Sequence, residues 1–144
     1  MPSLTVFLDA SVILSGMASP QGGSGFLLKA AKQKKIILIA TPLIINEVNR
    51  HLAKLKLQSK QLKTLLNRQI IRLVKDPDET TIARCCRLTA DPDDAHVLAG
   101  AILANANFLL SLDKKHVLTK RVKKHLSPIR VLSPKQFWQS LKSF

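Results

Sequence analysis

Three short apolar runs constrain this chain most. Leu4–Leu8, Ile36–Ala40 and Phe108–Leu112 are continuous, rich in strand formers and too short for helices, so each reads as a strand buried on both faces. Segments with helical spacing separate them. Thr41-Pro42 supplies an N-cap and a first-turn proline, after which Ile45, Val48, Leu52 and Leu55 recur on one face. Leu62, Leu65, Leu66 and Ile70 repeat that spacing, and Ser24 is placed to cap a helix to about Lys34 after a loop over Ala18–Gly25. Arg72–Lys75 reads as a short strand, Asp76–Thr89 as holding a short helix, and Pro92–Asn105 as a helix. Arg130–Leu132 reads as a last strand, before a helix opened by Ser133-Pro134. Strands alternating with helices imply an α/β fold of three layers, α/β/α, with a mainly parallel central sheet, in one domain over residues 1–144. In such sheets ligands sit beyond the carboxyl ends of the strands.

Composition narrows the chemistry. Hydrophobic residues make up 46% and aromatics only 4%, so the core is built from Leu, Ile, Val and Ala, and no stacking platform for bases is indicated. Lys plus Arg number 23 against 9 Asp plus Glu, a formal net charge of +14. That imbalance suggests a polyanionic partner, the alternative being a merely basic surface. Lys54, Lys56, Lys60, Lys63 and Arg68 read as solvated. Cys85 and Cys86 are adjacent and match no zinc or thioredoxin spacing; with no signal peptide, the expected compartment is the cytoplasm. The uncharged stretch between Asp94 and Asp113 is interrupted by His96, Asn105, Asn107 and Ser111, and its period changes near Asn107. It therefore reads as helix then strand, with no membrane span.

With so few acids, each can be weighed. Asp9 follows the first strand, Asp113 follows the Phe108–Leu112 run, Asp94 lies in the first turn of the helix before that run, and Glu47 lies early in the helix after the second strand. On a parallel sheet all four can point toward one edge. Carboxylates brought together raise one another's pKa, and a divalent cation relieves the repulsion. Oxygen donors, without His or Cys at ligand spacing, favour Mg²⁺ or Mn²⁺ over Zn²⁺. Structural alternatives stand beside these roles. Asp91 and Asp93 can cap the following helix, Asp94 can serve its dipole, Glu47 can pair with Arg50 or His51, and Asp76, Asp78 and Glu79 can form a solvated turn. Asp9 is the hardest to explain structurally, because a carboxylate after Val6-Phe7-Leu8 is partly buried and needs a partner.

Other features carry less. Gly22-Gly23-Ser24-Gly25 lacks the ending of a phosphate loop and reads as a flexible entrance loop. Phe7-Leu8-Asp9-Ala10-Ser11 lacks the second Asp that an aspartyl-phosphate enzyme needs. His51, His96, His116 and His125 show no metal spacing. Lys114, Lys115 and His116, followed by Lys120, Arg121, Lys123 and Lys124, sit just beyond Asp113, where they could contact a phosphate backbone or form a solvated face.

Four segments taken in order resemble the PIN-domain family. They are Val6-Phe7-Leu8-Asp9-Ala10-Ser11, Thr41-Pro42-Leu43-Ile44-Ile45-Asn46-Glu47-Val48, Asp91-Pro92-Asp93-Asp94-Ala95-His96-Val97-Leu98-Ala99-Gly100-Ala101, and the stretch Ala106–His116. Val131–Phe137 resembles the tail of a bacterial and archaeal subgroup, whereas residues 54–89 carry no alignable motif. The resemblance implies a Mg²⁺- or Mn²⁺-dependent nuclease with catalytic and metal-holding Asp9, Glu47, Asp94 and Asp113; Asp91, read from its position alone, is either a further metal ligand or the cap of the following helix. Ser11 and Ser111 match supporting positions, and the usual Thr-Gly-Asp reads Ser111-Leu112-Asp113 here. It also implies RNA as substrate, a toxin role with an antitoxin-like protein partner, and a homodimer. The competing expectation is a non-catalytic RNA-binding or scaffolding domain on the same fold.

Overall fold

The apolar runs become strands because helices cover both of their faces. Val6, Phe7 and Leu8 are wholly buried, as are Leu109 and Leu110, and each large side chain removed from water contributes roughly 1.5–3 kcal/mol. In the computed structural model, which describes residues 3–89 and 91–142, β1 (Thr5–Leu8), β2 (Ile37–Ala40), β3 (Ile71–Leu73), β4 (Phe108–Leu110) and β5 (Arg130–Leu132) form one sheet. The order is β3-β2-β1-β4-β5 and every pairing is parallel. The helices are α1 (Ala10–Ala18), α2 (Gly23–Lys32), α3 (Pro42–His51), α4 (Ser59–Asn67), α5 (Glu79–Cys85), α6 (Ala95–Leu103), α7 (Lys120–Leu126) and α8 (Pro134–Leu141). The α/β/α architecture expected from the alternation is the one observed. Among the described residues no helix is long and apolar enough to cross a membrane.

Topology fixes where a ligand can sit. β2 pairs on one side of β1 and β4 on the other, so the chain turns in opposite directions at their carboxyl ends and leaves a crevice there. The register sets Leu8 against Leu110, which carries Asp9 and Ser111 out of the sheet side by side. Gly100 controls how near α6 comes to this edge. A Cβ there would stand 2.6 Å from Phe7 Cζ, so only glycine lets the helix lie this close on β1.

Several boundaries depart from the expectations, each for a physical reason. α1 has no clean amphipathic period to announce it: Ala10, Val12, Ile13, Gly16 and Met17 are all buried, because the helix packs against both α2 and α3. The expected loop over Ala18–Gly25 shrinks to residues 19–22. Gly22, not Ser24, caps α2, and Ser24 lies buried in its first turn. The glycine run is a packing device and no entrance loop: a Cβ on Gly25 would stand 2.2 Å from the carbonyl oxygen of Pro20, and Trp138 Nε1 donates to the Gly23 carbonyl at 2.9 Å, tying α8 to α2. α3 begins as expected, with the Thr41 hydroxyl accepting from the Ile44 amide and Pro42 in the first turn. It stops at His51, and Leu55 falls in a 3-10 turn (Ala53–Leu55), 45% exposed. The helix expected from Pro92 starts instead as a 3-10 turn (Pro92–Asp94) and ends at Leu103. β4 ends at Leu110, two residues short of Leu112.

Candidate metal centre

Asp9 leaves β1 as the N-cap of α1. Its Oδ1 accepts from the Ala10 amide at 2.7 Å, its Oδ2 accepts from the Ser111 hydroxyl at 2.7 Å, and its own amide donates to the Leu110 carbonyl. The side chain is 6% exposed. Burial pushes its pKa from 3.8 up to about 6; the Ser111 hydrogen bond and the Ala10 amide oppose this, while the charges of Glu47 and Asp113 add to it.

Ser111 joins the two strand ends. Its hydroxyl donates to Asp9 and accepts from the Asp113 amide at 3.0 Å. Ser11 makes the matching link from α1, its hydroxyl accepting from the Leu112 amide at 3.2 Å. Both expected supporting positions thus hold the β4 turn against the end of β1. The turn closes without glycine, because the described non-glycine residues with positive φ are Lys34, Lys56, Gln69 and Asn105, and Leu112 is not among them.

Asp113 is held entirely by its own turn. Oδ1 accepts from the amides of Lys115 at 3.0 Å and His116 at 2.9 Å, and Oδ2 lies 3.2 Å from His116 Nδ1. Burial acts to raise its pKa, but the His116 amide, the His116 ring and the Lys115 amide outweigh burial and leave it below 3.8. Asp94 is the opposite case. It stands at the start of α6, no side-chain cap bond is made there, and its buried Oδ2 has no hydrogen-bond partner among the described residues. Burial first, then the charges of Asp9, Asp113 and Asp91, push its pKa up to about 7, opposed by His116, whose Nδ1 lies 3.7 Å from Oδ2.

Asp9, Glu47, Asp94 and Asp113 line one cleft of about 390 Å³. Four acids from four separate segments therefore meet where the parallel sheet predicts. Lining a cleft is a looser relation than ligand spacing: among the described residues, the group of three whose single ligand atoms lie within 4.8 Å of one another is Asp91, Asp94 and His116, so Asp94 belongs to both arrangements. Asp91 also caps the 3-10 turn, accepting from the Asp93 amide at 3.0 Å, so both readings of that residue hold geometrically. Asp93 is exposed. Glu47 makes no ion pair with Arg50 or His51; among the described residues the ion pairs are those of His116 with Asp94 and Asp113. Asp76 and Asp78 are not merely solvated: Asp76 accepts from the Leu43 amide at the start of α3, and Asp78 caps α5 through the Thr81 amide.

These residues fit a divalent cation. A buried carboxylate oxygen without a donor, inside a cluster whose burial and mutual repulsion disfavour ionisation, is what bound positive charge would satisfy. Lys114 and Lys115 are exposed and do not line the cleft. His51, Lys54, Leu14 and Leu55 do line it, and sequence reasoning did not assign them to it. Only the spacing of His51, one turn after Glu47 on the same helix face, could have pointed there.

Comparison with known proteins gives a consistent result. A family model described as the PIN domain matches residues 5–115. The crystal structure of PAE2754 from Pyrobaculum aerophilum is similar in fold, with a TM-score of 0.65 at 19% identity, covering 98% of this chain and 91% of that one. No curated protein matches the chain.

Proposed function

The chain belongs to the PIN-domain family, and from that premise we propose that it is a Mg²⁺- or Mn²⁺-dependent endoribonuclease whose catalytic and metal-holding carboxylates are Asp9, Glu47, Asp94 and Asp113. The family is one of nucleases that use divalent metals. The observation that carries the reading is the convergence of these four acids on one cleft, with Asp94 Oδ2 buried and without a hydrogen-bond donor among the described residues. A net charge of +14 favours a polyanionic substrate, and RNA is the one the resemblance implies.

In this reading the residues divide the work. Asp94 and Glu47 present oxygens that accept no hydrogen bond among the described residues. Asp9 shares one carboxylate between the Ala10 amide and the Ser111 hydroxyl, which fixes its orientation. Asp113 is kept ionised at neutral pH by the donors of its own turn. A bound cation supplies a Lewis acid that polarises the phosphodiester and offsets the charge of the cluster.

The test is cleavage of single-stranded RNA with Mg²⁺ or Mn²⁺ and with EDTA. Cleavage should need the metal and fall by about 100-fold or more in Asp9→Asn, with an unchanged circular dichroism spectrum. Cleavage in EDTA, or normal cleavage by the variant, contradicts the proposal. Its finer form, the cytoplasmic toxin of a toxin–antitoxin pair, predicts growth arrest on expression that disappears in Asp94→Asn.

A further inference from the structure

The carboxyl end of α3, which also carries Glu47, and the turn after it line the same cleft as the acids. His51 follows Glu47 by one helical turn, about 6 Å along the axis, and Lys54 and Leu55 continue in the 3-10 turn. Lys54 is exposed, lines the cleft, and makes no ion pair with any of its four carboxylates. A cation placed beside so much negative charge and left unpaired is available to a further anion.

The anion cannot be held by the helix itself. The carboxyl end of α3 carries the negative pole of its dipole and repels phosphate, so any phosphate there depends on side-chain cations. Lys54 is the cation here, and His51 beside it offers a ring N–H that can donate to a phosphate oxygen. Leu55, 45% exposed, and Leu14 flank them with apolar surface of the kind a ribose or base edge covers. Carboxylates at one end and these donors about a turn further along suit a polymer with regularly spaced phosphates, and do not suit a single phosphate group.

We infer that the RNA strand leaves the acid cluster along the end of α3, with Lys54 and His51 binding the phosphate next to the one being cleaved. The inference rests on the ribonuclease reading and places the substrate contacts on α3, away from the Lys114-Lys115 turn. Lys54 and His51 position the strand and take no part in bond breaking.

The experiment measures binding of a fluorescently labelled single-stranded RNA by anisotropy across a salt series. It uses the full chain carrying Asp94→Asn to prevent cleavage. Adding Lys54→Ala should weaken binding roughly three- to tenfold and lower the slope of log affinity against log salt by about 0.7. Lys54→Arg should restore both. Lys29→Ala, which removes the same charge from α2 outside the cleft, controls for net charge. Mn²⁺ affinity, measured in the otherwise wild-type protein, should not fall on Lys54→Ala, because the substitution removes a positive charge from the cleft. If Lys54→Ala binds RNA as Lys29→Ala does, the inference is overturned while the ribonuclease reading stands. If the starting protein binds no RNA and the wild type binds no Mn²⁺, both fall together.

Discussion

Two carboxylates in the same cleft have been treated in opposite ways. At the turn after β4, Asp113 meets three donors from its own segment and its pKa falls below the ordinary value. At the start of α6, Asp94 meets no hydrogen-bond donor through Oδ2, and its pKa is pushed up to about 7. The protein has stabilised the ionised form of one acid and left the other in debt. A cluster of like charges that was purely structural would gain by satisfying both. The β4 turn is thus anchored by its own donors, whereas in the proposed reading the start of α6 is left for a bound cation.

The pH axis should separate the two regions most. In protein freed of metal, Asp9 and Asp94 have folded-state pKa values of about 6 and about 7, above the 3.8 of the unfolded chain. The folded state therefore holds extra protons in that window, and stability is lost as the pH rises from about 4 to about 7. For Asp9 alone, a rise from 3.8 to about 6 corresponds to roughly 3 kcal/mol. Asp113, whose pKa is lowered, works in the other direction and loses its contribution only as the pH falls below 3.8. Half-buried His96 has a lowered pKa, caused chiefly by burial, and opposes the main trend below 6.5, but it is common to every variant and cancels in a comparison. Thermal unfolding in EDTA should show a steeper fall for wild type than for the Asp9→Asn, Asp94→Asn double variant. Parallel profiles would remove the contrast.

Moving α6 away from the sheet should weaken the Asp94 side alone. Gly100→Ala places a Cβ against the buried Phe7 ring and should cost about 1–3 kcal/mol on denaturant unfolding. Mn²⁺ affinity should fall with it, because Asp94 shifts relative to Asp9. An unchanged affinity would mean that the closeness of α6 does not set the site. Ser111→Ala cuts the link between the two strand ends and leaves Asp9 Oδ2 and the Asp113 amide without their partner; about 1–2 kcal/mol of stability should go, and the Asp9 pKa should rise further. Ser111→Thr keeps the hydroxyl and should restore both. The smallest effect is expected for His116→Ala. It removes the ring from Asp113, whose two amide donors remain, and from Asp94 at 3.7 Å, so stability should change by under about 1 kcal/mol while the pKa values of both acids measured by NMR move upward.

The framework was legible because its signals are local. Buried strands announce themselves as short apolar runs, and Thr41-Pro42 and Ser133-Pro134 mark helix starts through their own side chains; both caps formed as expected. The four acids could be placed together because a parallel sheet directs its strand ends to one edge. What could not be read depended on contacts distant in sequence. α1 hid because neighbours on several sides bury it, so no polar face interrupts its apolar residues. Gly25 resembled part of a loop because the reason for it is the backbone of residues 19 and 20, which the turn between α1 and α2 folds against it. Lys54 looked solvated, and His51 looked like a partner for Glu47, because the helix pattern gives no hint of the cleft they line, and the pairing of His116 with Asp94 spans 22 positions.

The account stands on Asp94 as a ligand awaiting a cation, and calorimetric titration of Mn²⁺ into wild type and Asp94→Asn tests it most directly. The account predicts binding in the wild type that is lost in the variant, while both proteins keep the same fold by circular dichroism. Equal binding in the two, or none in either, would contradict it.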